Sequence, residues 1–134
     1  MQRMIWSAKC RMGFDEIDSQ HRLLYAIANE LLEIENPVSQ EPEIKYLLRH
    51  MKDYIDMHFK YEEELMAKHN YPGLAPHIQK HEKIILEMKE SLVNSSTLAQ
   101  LKNNLEDLLI AWIQTHIMIE DKRFSDWAKL HKII

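Results

Sequence analysis

Four segments of this chain repeat their interior residues at alternating steps of four and three. The first carries Ile17, His21, Leu24, Ala28 and Leu31, and the second Ile44, Leu48, Met51, Ile55, His58, Glu62 and Leu65. The third carries His77, His81, Ile84 and Met88, and the fourth Leu98, Leu101, Leu105, Leu108, Trp112 and His116. Such spacing keeps one face of an α-helix turned toward a core. Two glycines and four prolines in 134 residues leave little turn punctuation. Leu, Met, Glu and Lys, which favour helix, are abundant.

The predicted fold class is therefore all-α: an antiparallel up-down-up-down four-helix bundle with an N-terminal arm and a short C-terminal helix. One domain is expected over residues 1–134, with an arm at 1–16, helices at about 17–35, 41–68, 75–93 and 97–120, and a tail at 121–134. Asn36–Pro37 stops the first helix, because proline disfavours helix at the residue before it. Pro42 sits in the tolerated first turn of the second. Asn70, Pro72, Gly73 and Pro76 mark a loop. Asn94, Ser95 and Ser96 break the third helix and offer an N-cap for the fourth. Trp6 and Phe14 suggest that the arm packs on the body.

A net charge of −4 gives no electrostatic reason to expect nucleic acid or an anionic membrane surface as partner. No apolar run approaches the ~20 residues of a membrane span. Residues 1–11 lack the apolar region of a secretory signal, which makes a cytoplasmic protein the expectation. Cys10 is the single cysteine, so an internal disulfide and a thiolate-rich metal site are both excluded.

Five of the eight histidines, and Glu62, occupy positions that the pattern assigns to the interior. A buried, unpaired carboxylate is costly. Six polar groups on facing stripes either form a large buried network or converge on metal, and half-satisfied networks are expensive. His58 and Glu62 are related as i,i+4, as are His77 and His81, so each pair shares a helix face. In an antiparallel bundle His21, His58, His77, His81 and His116 fall at one end, where all five imidazoles can meet in one layer. That set exceeds the needs of one tetrahedral zinc and suits two metals sharing carboxylate bridges. Nitrogen and oxygen donors admit iron, manganese, zinc or copper.

Read together, Ile17-Asp18-Ser19-Gln20-His21, His58-Phe59-Lys60-Tyr61-Glu62, His77-Ile78-Gln79-Lys80-His81 and Trp112-Ile113-Gln114-Thr115-His116-Ile117, followed by Asp121, resemble the hemerythrin family in its single-domain bacterial form. The resemblance begins at Trp6 and covers nearly the whole chain. It implies two non-haem iron ions with a bridging oxo or hydroxo group. His77, His81 and His116 would hold one iron; His21 and His58 would hold the other and leave it an open position. Glu62 and Asp121 would bridge the two. Leu24, Phe59, Trp112, Ile113 and Ile117 match an apolar oxygen pocket. The implied activity is reversible dioxygen binding, for transport, storage or delivery, and not catalysis. The alternatives are an oxygen or redox sensor acting through a partner protein, and a di-iron redox enzyme handling peroxide or nitric oxide. Dioxygen is the expected ligand; the sequence names neither an oxygen-using enzyme nor a signalling partner.

Asp121 lies outside the periodic stripes. Five residues after His116, it would stand ~140° away around a regular helix. A local unwinding or bulge is therefore expected near residues 117–120. Asp18 and Gln20 are candidates to orient ligand imidazoles, although Asp18 is more simply a helix N-terminal acid. Tyr25, Tyr54 and Tyr61 lie near the ligands in sequence, with directions left open. His50 and His131 read as surface residues and His69 as a loop residue. Met51, Met57, Met66 and Met88 read as core. Cys10 has no assigned role. A ferritin-like di-iron oxidase would need Glu-x-x-His pairs, and no histidine here has a glutamate three residues before it. A dizinc hydrolase needs a polar, accessible mouth, against which the apolar pocket argues.

Overall fold

The computed structural model describes residues 3–134; the first two residues of the expected arm lie outside it. The described chain is helical, with α1 at Asp15–Leu32, α2 at Glu41–Lys68, α3 at Leu74–Asn94 and α4 at Leu98–Ala111. A π-helical stretch follows at Trp112–Asp121, and α5 occupies Lys122–Leu130. No strand occurs among the described residues. α1 packs on α2 and α4, α2 on α3, and α3 on α4, closing an up-down-up-down four-helix bundle.

Local chemistry sets the helix ends. Asp15, Glu16 and Asp18 stand in the first turn of α1, where the helix dipole favours acids. That helix starts two residues before the expected position and ends at Leu32, short of residue 35. The Gln40 side chain accepts from the backbone of Glu35 and Asn36 and holds the connection to α2. The cap of α4 is Thr97, one residue beyond the expected serines, and it accepts from Gln100 N at 3.1 Å. The largest departure is at the C-terminal end. Trp112 and Lys122 both have right-handed helical dihedrals, so no break separates the fourth helix from the expected tail. One continuous rod runs from Leu98 to Leu130.

Leu24, Leu31, Ile44, Met51, Met66 and Ile117 are fully buried. Each such side chain contributes roughly 1.5–3 kcal/mol by leaving water. Met57 is a correction to the expected core: it is 46% exposed on the outer face of α2.

The arm is fastened at three places. Asn29 exchanges two hydrogen bonds with the backbone of Met4. Arg22 lies 4.1 Å from the centre of the Trp6 ring, a cation–π contact. The buried Asp18 carboxylate accepts from Met12 N at 2.7 Å and Gly13 N at 3.4 Å, while Ser125 donates to the Met12 carbonyl. Gly13 has φ +91°, which lets the chain turn between these anchors and α1. Asp18 is thus a clasp for the arm and does not touch a ligand imidazole. Cys10 is buried 3.4 Å from the Tyr25 hydroxyl, a packing position beneath the arm. Phe14 stacks on Phe124, and Tyr71 and Trp127 flank Phe124, so the arm, α5 and the α2–α3 loop seal the ligand-bearing end.

Candidate metal centre

All seven side chains singled out by sequence lie together in the interior, and each is at most 4% exposed. α1 supplies His21, α2 His58 and Glu62, α3 His77 and His81, and the π stretch His116 and Asp121. The π stretch solves the spacing problem of Asp121. Its i→i+5 bonding widens the turn, so residues five apart approach the same face. His116 Nε2 then lies 3.1 Å from Asp121 Oδ1. The irregularity is longer than the expected bulge, covering ten residues.

The donors sort into two overlapping groups within metal-binding reach: Glu62, His77, His81, His116 and Asp121 in one, and His21, His58, Glu62 and Asp121 in the other. The carboxylates divide their oxygens between these groups. Glu62 Oε1 is 2.6 Å from His77 Nε2 and 3.1 Å from His81 Nε2, whereas Oε2 is 3.3 Å from His58 Nε2. Asp121 Oδ1 is 3.0 Å from His77 Nε2, and Oδ2 is 3.1 Å from His21 Nε2. Two carboxylates facing two nitrogen sets in this way have the disposition of bridging ligands.

Buried polar atoms without partners test whether metal fits. His21 Nε2, His58 Nε2, Glu62 Oε2 and both Asp121 oxygens make no hydrogen bond in the described structure. Buried polar groups are ordinarily satisfied. Five unsatisfied atoms pointing into one space, all of them good donors for a divalent cation, fit metal and do not fit a self-sufficient network.

The electrostatics agree. Burial resists protonation of His77 and His116, but the Asp121 and Glu62 carboxylates beside them outweigh it and raise the two groups to about 9 and about 10. Burial likewise opposes ionisation of Glu62 and Asp121. Nearby imidazoles prevail, His58 foremost for Glu62 and His116 for Asp121, and hold both below the ordinary carboxylate range. Without metal, the layer is an ion cluster in which protons occupy positions that cations would take.

A second layer orients the rings. Gln20 Nε2 donates to Glu16 at 3.1 Å, which turns Gln20 Oε1 inward to accept from His58 Nδ1 at 2.6 Å. Glu63 Oε2 accepts from His81 Nδ1 at 2.7 Å. Sequence reasoning singled out Gln20 and missed Glu63. The available signal was that Glu63 lies i+4 from Phe59 on α2, on the side facing α3. Phe59 stacks on the His81 ring at 3.8 Å between centroids and 1° between planes. Leu24, Trp112, Ile113 and Ile117 are buried, as is Phe59, and Trp112 packs on the Phe59 ring with centroids 5.2 Å apart. Tyr54 stacks on His58, and its hydroxyl donates to the Gln20 carbonyl at 2.7 Å. Burial, then the charges of Glu62 and Asp121, raise its pKa well above the ordinary tyrosine value, so it is a much weaker acid. Tyr25 turns toward Cys10, while His50 and His131 are exposed.

Comparison with known proteins places these features in company. The family model described as "Hemerythrin HHE cation binding domain" matches residues 12–128. A bacteriohemerythrin of Clostridium acetobutylicum is 30% identical over 91% of this chain and 98% of its own length. One from Stenotrophomonas maltophilia is 29% identical over 98% of this chain and 85% of its own. One from Campylobacter jejuni is 29% identical over 84% and 85%. No helix among the described residues is long and apolar enough to cross a membrane.

Proposed function

The chain belongs to the hemerythrin family, and from that premise we propose that it binds dioxygen reversibly at a carboxylate-bridged pair of iron ions. His77, His81 and His116 would hold one iron, His21 and His58 the other, and Glu62 and Asp121 both. The observation that carries the reading is the unequal division of donors, five residues in one group and four in the other, sharing the two carboxylates. The four-residue group is one protein ligand short of its neighbour, which leaves room for an exogenous ligand there. Two ferrous ions so held would supply the two electrons that dioxygen takes up on binding and returns on release.

The protein's own part is to bind, to orient and to exclude water. Gln20 fixes the His58 ring at the poorer group. Leu24, Phe59, Trp112, Ile113 and Ile117, all buried, would supply its apolar surroundings. In such surroundings the departure of a charged, reduced form of oxygen is unfavourable, and departure as neutral dioxygen is preferred. The hydroxyl of Tyr54, whose ring stacks on His58, is committed to a backbone carbonyl and holds its proton tightly. That arrangement supports binding and release over turnover of peroxide or nitric oxide, which needs a proton donor at the reacting atom.

The test is anaerobic reduction of the iron-loaded chain followed by exposure to air, with visible absorption recorded and iron counted. Expected are two irons per chain and a colourless reduced form. A charge-transfer band should appear with oxygen and vanish on its removal. Immediate, irreversible oxidation would refute the carrier reading and favour sensing or redox catalysis. A chain that carries zinc as purified and takes up no iron when offered it would refute the oxygen reading altogether.

A further inference from the structure

Two of the five inward imidazoles have their outer nitrogens held, and by unlike groups. His58 Nδ1 meets the neutral amide of Gln20, and His81 Nδ1 meets the carboxylate of Glu63. His21 Nδ1 has no partner in the described structure. A carboxylate is an acceptor only, so His81 carries a proton on Nδ1, and Nε2, 3.1 Å from Glu62 Oε1, is the nitrogen turned toward the centre. Phe59 and Glu63, i and i+4 on α2, grip that ring together, one from its face and the other from its edge. The Glu63 side chain is 29% exposed, so its charge keeps contact with water and needs no buried counterion.

Resting on the metal centre proposed above, we propose that Glu63 is a positioning residue that makes the His77–His81–His116 group the first of the two to fill with a divalent cation. Two features act in the same direction. This group has one more protein donor than its neighbour. The acceptor that holds the His81 ring is a charged carboxylate, which makes the stronger hydrogen bond, whereas the His21–His58 group has only the neutral Gln20 in the corresponding place. Loading is therefore ordered: the richer group fills first, and its cation fixes Glu62 and Asp121 for the second.

Zinc is the probe, because it is diamagnetic and needs no oxygen. Calorimetric titration of the wild-type chain, Glu63→Ala and Glu63→Gln is paired with ¹⁵N–¹H spectra of the histidine rings in the zinc-loaded proteins. The wild type should show two unequal equivalents and a slowly exchanging His81 Nδ1–H. Glu63→Ala should weaken the tighter equivalent roughly 10- to 100-fold and lose that proton signal to solvent exchange. Glu63→Gln retains an acceptor without charge, so it should keep the signal and fall between the two in affinity. It also reports on charge if the alanine variant fails to fold. A Glu63→Ala protein with both affinities and the His81 signal unchanged would overturn the inference alone. A wild-type chain that takes fewer than two zinc ions would overturn the metal centre as well.

Discussion

Loading the centre with metal near pH 8 should expel about two protons that come from imidazoles. His77 and His116 are raised to about 9 and about 10 by Asp121 and Glu62, against the opposition of burial. At pH 8 both rings are then charged to roughly 90% or more. A metal requires the Nε2 lone pairs, so these protons must leave. Imidazoles at the ordinary value of about 6.5 would together yield less than ~0.1 proton at that pH. At pH 9.5 about one proton of the two has already gone. Glu62 and Asp121, held below the ordinary carboxylate range, contribute none. Calorimetric zinc titration in paired buffers of different ionisation enthalpy counts the protons. Those lost by a water bridging the metals appear at both pH values, so the difference isolates the imidazoles. The expected difference is about one proton fewer at pH 9.5 than at pH 8. A difference below about 0.3 would refute the reasoning, because the carboxylates would then not be holding the rings charged.

The same groups govern the metal-free protein. Raised imidazoles stabilise it fully below about pH 6.5, and that contribution is lost as pH rises through 9 to 10. Depressed carboxylates stabilise it above about pH 4 and cease to as pH falls. Urea unfolding of the metal-free chain should therefore be hardest between about pH 4.5 and 6.5, and zinc should move the optimum upward. Leu24 is 0% exposed, so Leu24→Ala should cost roughly 3 kcal/mol in urea unfolding. It should also shorten the life of the oxygenated form, since the new cavity admits water. Asp18→Ala strands the Met12 and Gly13 amides, should cost about 1–3 kcal/mol, and should hasten tryptic cleavage after the exposed Arg11. Unchanged cleavage would show that the arm does not depend on this clasp.

How much was legible in the sequence follows from what periodicity can carry. Four stripes on four helices gave the bundle, because a 3.6-residue period is a one-dimensional trace of a helix face. The same trace put His21, His58, His77, His81, His116 and Glu62 in one interior layer, where the structure also has them. Asp121 was invisible to it, since a π stretch abandons that period; only the resemblance to known motifs pointed there. Glu63 was missed because it lies beside the stripe and acts through another helix's side chain. Asp18 looked like a helix-dipole acid, and its partners are arm amides placed by a turn at Gly13 that no periodic signal encodes. Met57 shows the converse error, an apolar type taken as core at a solvent-facing position.

The π stretch has a consequence for inheritance. His116 and Asp121 face the same layer because five residue steps, and not four, separate them in a turn of matching width. A codon gained or lost between them would change which residue opposes Glu62 without altering a single ligand. Mutation can therefore remove this carboxylate from the layer by insertion or deletion as readily as by replacing Asp121. A chain that closed the turn with ordinary α-helix would need its carboxylate one position earlier. Alignments that forbid a gap in this segment would pair it with the wrong residue.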